Sequence, residues 1–472
     1  MLFDTPVFFV FLVLVVSAYW LLKGRQQNAL LLVASYFFYG WWDWRFLLLM
    51  AGSTTVDYVV ARMIAASDNA AKRRSLLTLS IVLNFGFLGF FKYFNFFTGS
   101  LASALEMLGI GHSTIHALQI ILPPGISFYT FQEVAYIVDV YYKKLEPADS
   151  LLDYAVFISL FPHLIAGPIQ RPSHLLPQVQ KKRVFRASAF FDGCMLILSG
   201  LFRKCVIADQ CALVANAAFE GRLGHSLMAT VLGVYAFAWQ IYGDFSGYSD
   251  IARGAAQLMG FHFMVNFRQP YLATSLQDFW RRWHISLSSW LRDYLYISLG
   301  GNRHGQLMTY RNLLTTMLLG GLWHGANWTF VVWGGIHGAW LGFERLIGLK
   351  PEVERDGSLR SSVMVWACRA MIFVVVGFTW IFFRAASLHE AVQLIADCAR
   401  WEWRPSFVTA SLFVAAFSLL MLMMDLRLEN AGEEYAFQHA TEPRRIAAAV
   451  STAAAIVVFS ASKANAFIYF QF

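Results

Sequence analysis

Two histidines and a polar nonapeptide stand where this sequence offers chemistry. His324 lies in the run Asn312–Phe343, 32 residues without one Asp, Glu, Lys or Arg. Twelve residues of helix put it roughly 18 Å from Asn312, close to the middle of a bilayer core about 30 Å thick. An ionisable side chain at that depth is costly and is by default functional. Gly320, Gly321 and Gly325 flank it, so backbone or substrate can approach closely. The competing reading is a helix-packing histidine bonded to a neighbour. His337 follows after about 1300° of helical rotation, so it cannot share a face with His324 in one straight helix and reads as packing. His284, taken alone, reads as an interfacial histidine touching water. Two histidines without metal-ligand spacing suit proton transfer. An imidazole titrates near neutrality, so it can take the proton of an attacking alcohol and return it to a leaving thiol. No nucleophile elbow, P-loop, dinucleotide fingerprint or zinc-protease helix motif occurs.

The elements that must hold these groups follow from spacing. Ser275 with Asp278 three residues on resembles a capping box and starts a helix. Leu276, Phe279, Trp280, Trp283, Leu287, Trp290 and Leu291 then form an apolar stripe, with Arg281, Arg282, Ser288 and Arg292 off it. That pattern predicts an amphipathic helix at the membrane interface. The nonapeptide Tyr242–Asp250 carries Asp244, Asp250 and four hydroxyls, Ser246 among them. The two carboxylates are about 600° apart on a helix, so they form no tight dyad. The segment reads as a polar, turn-rich break that lines a substrate path or holds a helix terminus.

Composition sets the surroundings. Apolar residues make up 58% of the 472 and charged residues only 14%, too few polar groups to coat a water-soluble globule. A disordered chain, a collagen and a nucleic-acid-binding domain are excluded on the same grounds. Charge-free stretches at 5–22, 26–42, 75–91, 107–132, 154–170, 226–243, 312–343, 405–424 and 446–462, with interrupted runs between them, predict about eleven spans. The run Thr5–Leu22 has no basic region before it and no small-residue cleavage site after it, so it reads as a first transmembrane helix. Pro123-Pro124-Gly125, Phe161-Pro162-His163 and Gly167-Pro168 break apolar runs. Such backbone survives at membrane depth only when buried in protein or lining a wet cavity, so these are re-entrant segments or interfacial loops. The net charge of +8 reflects basic clusters that mark cytoplasmic loops: Lys72–Arg74, Lys143-Lys144, Lys181–Arg183, and Arg281-Arg282 with Arg292 and Arg303. The five cysteines show no paired spacing and predict neither a disulfide nor a metal site. One integral membrane domain, 1–472, is expected.

Long motifs carry a resemblance. Phe279–Arg303 and Gly321–Gly338 resemble the membrane-bound O-acyltransferase (MBOAT) family. Pro123–Gln132, Phe161–Pro172, Tyr242–Ala252 and the terminal Phe-Ile-Tyr-Phe-Gln-Phe are similar to its bacterial, polysaccharide-acetylating branch. The resemblance implies a multi-pass protein of the bacterial inner membrane, all-α, with tilted helices around a central funnel. It implies that His324 is the active-site histidine and His284 the second catalytic position. Arg281, Arg292, Asn302, Asn327, Asp244 and Ser246 become the substrate-binding candidates. It further implies acetyl-CoA as a cytoplasmic donor with no bound cofactor, a polysaccharide acceptor such as alginate, cellulose or peptidoglycan, and a separate periplasmic SGNH-type acetyltransferase partner. Membrane lipids, and no nucleic acid, complete the expected surroundings. The rival readings are an acyl-carrier transporter or flippase without chemistry, and a protein or lipid O-acyltransferase.

Overall fold

The computed structural model describes residues 1–109, 118, 120–165, 167–349, 359–460 and 467. The terminal hexapeptide motif therefore lies outside the described residues except for Phe467, as does the middle of the apolar stretch 107–132. All regular structure among the described residues is helical. Four helices are long and apolar enough to cross a membrane: Arg45–Ala65, Ala70–Met107, Arg360–Arg384 and Pro405–Ala431. This is an all-α polytopic membrane protein. The chain clusters into two compact units, Met1–Phe191 with Ala255–Met264, and Asp192–Gly254 with Val265–Phe472.

In the first unit the proline breaks are buried in protein. Gly125, at φ 73°, caps the helix Ile126–Tyr141, and a Cβ there would lie 2.4 Å from the carbonyl oxygen of Leu164. Leu164 ends the short helix Phe161–Leu164, whose four residues are all buried. His163 in that turn bonds Gln132 at 3.1 Å and the Phe157 carbonyl at 3.1 Å. The Phe157 carbonyl thus finds a partner inside the protein, as backbone at membrane depth requires.

In the second unit, two expectations are corrected. Tyr242–Asp250 is no break: it lies within one continuous helix, Leu227–Leu258. Its glycines serve close approach instead of turning. A Cβ on Gly247 would meet the Gly200 oxygen at 2.6 Å, and one on Gly254 the Gly193 oxygen at 2.5 Å. Its acids are neutralised across that contact, Asp244 by Lys204 at 2.7 Å and Asp250 by Arg203 at 3.0 Å. A buried carboxylate is tolerated when so paired, and the helix runs on. The second correction concerns the amphipathic helix after Ser275. The capping box forms, with the Ser275 hydroxyl accepting from the Asp278 N–H at 3.0 Å. The helix, however, stops at Arg282 and restarts at Ile285. Its aromatic stripe faces protein, with Trp283 1% and Trp290 4% exposed, so it is not an interfacial helix. Spacing alone registers a stripe; it does not say whether lipid or protein covers it.

The charge-free run 312–343 folds as a helical hairpin, Gly305–His324 and Trp328–Leu346. Missing side chains bring its arms together. A Cβ on Gly321 would sit 2.1 Å from the Phe330 oxygen, and one on Gly334 2.2 Å from the Met317 oxygen. Helix pairs in membranes rely on such small residues for backbone approach. Asn327 caps the second arm by accepting from the Thr329 N–H at 3.1 Å. Gly334→Ala should therefore lower stability by about 1–3 kcal/mol through overpacking. Gly335→Ala, whose Cβ would meet only Leu318 Cδ2 at 3.5 Å, should be neutral or mildly stabilising. Thermal unfolding of both variants in detergent checks the contrast.

Candidate active site

The hairpin and the broken helix bring the two predicted histidines together. His324 is the last residue of its helix arm and 4% exposed, and His284 is fully buried. Their ring centroids are 6.2 Å apart at 63°. Trp323, Trp333 and Phe383 stand edge-on to the His324 ring, with centroids 5.1 to 5.3 Å away. Phe245 stands edge-on to His284 at 4.7 Å. This is a pair of buried imidazoles in an aromatic enclosure, a setting suited to proton transfer away from bulk water.

The break at His284 has a local cause. His284 takes φ 45° and ψ 51°, a left-handed conformation unusual for a side-chain-bearing residue. Such an outlier persists only where its surroundings over-determine it. Here Asn266 does so. Its backbone oxygen accepts from the Ile285 N–H at 2.9 Å. Its side-chain oxygen accepts from the Ser286 N–H at 3.2 Å and the Ser286 hydroxyl at 2.9 Å, and it faces His284 Nδ1 at 3.2 Å. Its amide nitrogen donates to the Ser249 hydroxyl at 3.2 Å. An oxygen with that orientation can only accept from the ring, so Nδ1 carries the hydrogen and Nε2 the lone pair in the neutral imidazole.

The remaining candidates divide into two places. Arg281, Arg292 and Asn302 meet at one cavity of about 770 Å³, whose wall also includes Trp280, Ser288 and Arg345. Trp280 packs on Trp333 at 5.7 Å, and Trp333 packs on His324, so one aromatic pair separates the cavity wall from the histidine. Asp244 and Ser246 are buried elsewhere on the helix Leu227–Leu258, with Asp244 held in the pair with Lys204. That nonapeptide does reach the histidines, but through Phe245 and Ser249. Asn327 uses its oxygen as a helix cap and its nitrogen on the Ala386 carbonyl at 2.9 Å, so both ends of its amide serve the backbone. His337 bonds Trp280 at 3.3 Å and Thr379 at 3.0 Å, in line with its packing role. Asn266 is the residue that reading the sequence missed. It stands in an unremarkable Met-Val-Asn-Phe stretch, and no local pattern announces a contact 18 residues away.

Comparison with known proteins gives the family. Residues 148–349 match the profile of MBOAT, the membrane-bound O-acyltransferase family, and that span contains both histidines. The chain is 45% identical over 318 residues to the probable alginate O-acetylase AlgI of Pseudomonas putida, covering 67% of this chain and 63% of that protein. It is 44% identical over 342 residues to the probable alginate O-acetylase AlgI of Azotobacter vinelandii, covering 72% and 66%. It is 36% identical over 367 residues to the peptidoglycan O-acetyltransferase of Helicobacter pylori, covering 72% and 67%. The chain thus spans about two thirds or less of the length of the curated alginate relatives it matches. On these matches and its helical membrane fold, the chain belongs to the membrane-bound O-acyltransferase family.

Proposed function

We propose that this chain is an O-acetyltransferase of the bacterial inner membrane. It takes acetyl groups from a cytoplasmic thioester, acetyl-CoA, and passes them towards an exported polysaccharide, alginate first and peptidoglycan or cellulose as alternatives. The observation that carries the reading is the His284–His324 pair, two rings 6.2 Å apart in a buried aromatic enclosure. The names of the relatives supply the acceptor class.

The residues support a simple division of labour. One imidazole accepts the proton of an acceptor hydroxyl as its oxygen attacks the thioester carbonyl, and the proton then goes to the departing thiolate. His284, with Nδ1 donating to Asn266, presents Nε2 as the basic atom. His324 is the base or acyl relay, and His284 shares or orients the proton. Arg281 and Arg292, at the 770 Å³ cavity, suit the phosphates of the donor. A periplasmic SGNH-type acetyltransferase receives the acetyl group, since acceptor polymers lie beyond the membrane.

Three outcomes test the proposal. His324→Ala should reduce acetyl transfer by at least about 100-fold, as loss of a general base does, while leaving a monodisperse protein. Transfer of labelled acetyl from acetyl-CoA in reconstituted vesicles measures it, and wild-type transfer would refute the assignment. Asn266→Ala should lower the rate by about tenfold or more if it acts through His284. The double variant with His284→Ala should then lose no more than His284→Ala alone, whereas additive losses would assign Asn266 a merely structural part. Neutralising Arg281 or Arg292 should raise the acetyl-CoA concentration needed for half-maximal rate more than it lowers the maximum. An unchanged requirement, with less folded protein, would make these arginines anchors to lipid.

A further inference from the structure

A second cavity, in the first unit, gathers positive charge that makes no ion pair among the described residues, with Arg183 alone anchored by hydrogen bonds. It encloses about 530 Å³ where the helix Pro6–Leu21 turns into Arg25–Asp43, beside the segment after the helix Pro172–Gln180. Lys23, Arg25, Lys181, Lys182 and Arg183 line it, with Asp153 as its single carboxylate. Asp153 is already engaged, accepting from Asn28 at 2.7 Å and from the Ser150 hydroxyl at 2.8 Å. Arg183 is a strut: it donates to the Tyr19 hydroxyl at 2.8 Å and to the Val179 carbonyl at 2.5 Å, and so fixes the segment that bears the two lysines. The other four cations are exposed and make no ion pair among the described residues.

Four unpaired cations around a formed cavity repel one another unless an anion sits between them. The start of the helix Arg25–Asp43 adds its positive dipole end to the same wall. The neighbours say where that anion comes from. Leu21 is 83%, Val184 65% and Phe185 52% exposed, beside Lys23 and Lys182. In a membrane protein, large apolar side chains left open next to lysines belong at the level where acyl chains meet headgroups. We propose that this cavity binds the phosphate of an anionic phospholipid, with its acyl chains against Leu21, Val184 and Phe185. A basic pocket at a cytoplasmic membrane boundary favours such a headgroup over a zwitterionic one, because the latter carries its own compensating charge. The site shares no residue with the histidine pair and does not depend on the acetyl-transfer reading.

The test uses the full chain in nanodiscs of mixed phosphatidylglycerol and phosphatidylcholine. Native mass spectrometry of protein released from them counts the lipids retained. The wild type should hold phosphatidylglycerol selectively, and Lys23→Gln/Arg25→Gln/Lys181→Gln/Lys182→Gln should lose at least about tenfold of that selectivity, at roughly fivefold per charge. Millimolar CoA or inorganic phosphate should not displace the lipid. Equal retention of both lipids by the wild type, or undiminished selectivity in the variant, overturns the proposal. Displacement by CoA or phosphate also overturns it, by making the ligand a soluble phosphate. Should the fourfold variant not fold, Lys181→Gln/Lys182→Gln, confined to two exposed side chains, carries the same comparison with the same opposing outcomes.

Discussion

In the unit that carries the histidines, the backbone contacts that set the hairpin and the buried acid pairs form where a side chain is missing. The oxygens of Gly200, Phe330 and Met317 occupy the places that Cβ atoms on Gly247, Gly321 and Gly334 would need. Within a bilayer no hydrophobic force draws helix to helix, and dispersion and short-range polar contacts must do it instead. Both fall away steeply with distance, so the glycine contacts govern which other groups can meet. The contact at Gly321 and Gly334 sets the hairpin that ends in His324. The contact at Gly247 brings Arg203 and Lys204 to Asp250 and Asp244, and keeps a helix with three charged residues continuous.

The same interior makes polar pairing obligatory. Asn266 shows the result most clearly, because one amide oxygen serves a hydroxyl, a backbone N–H and an imidazole. A buried network of this kind is stable only when its members are satisfied, and it then allows few alternative arrangements. The strained backbone at His284 is held by that network. Local strain, a defined tautomer and burial therefore share one origin. An imidazole so held has little orientational freedom left, the condition under which positioning lowers a barrier.

The arginine-lined cavity and the histidine pair are distinct spaces in this conformation. Trp280 belongs to the wall of the first and packs against Trp333, which packs against His324. Two indoles stand between the charged cavity and the buried histidine.

Much of this was legible in the residues. Lack of charge showed a membrane protein, because water cannot be faced with so few polar groups. The uncharged run around His324 and the Ser275–Asp278 cap were local patterns, and both elements form. His337 does pack, bonded to Trp280 and Thr379, though on the second arm of a hairpin and not on the one straight helix that the rotation assumed. Other features had no local trace. A glycine-rich polar segment has the composition of a turn, yet Tyr242–Asp250 is helical because its acids find cations from another part of the chain. An apolar stripe with arginines has the pattern of an interfacial helix, yet Trp283 and Trp290 face protein. Asp244, Ser246 and Asn327 were plausible as substrate ligands by type, and their buried ion pair, helix position and capping bonds became visible only with their neighbours in place. By itself the sequence determined the membrane setting and the helical class, and it singled out the two histidines as candidates, since hydropathy and periodicity are properties of nearby residues. Only the tertiary structure decided that Asn266 orients His284, because a hydrogen bond between distant residues depends on packing that no local pattern encodes.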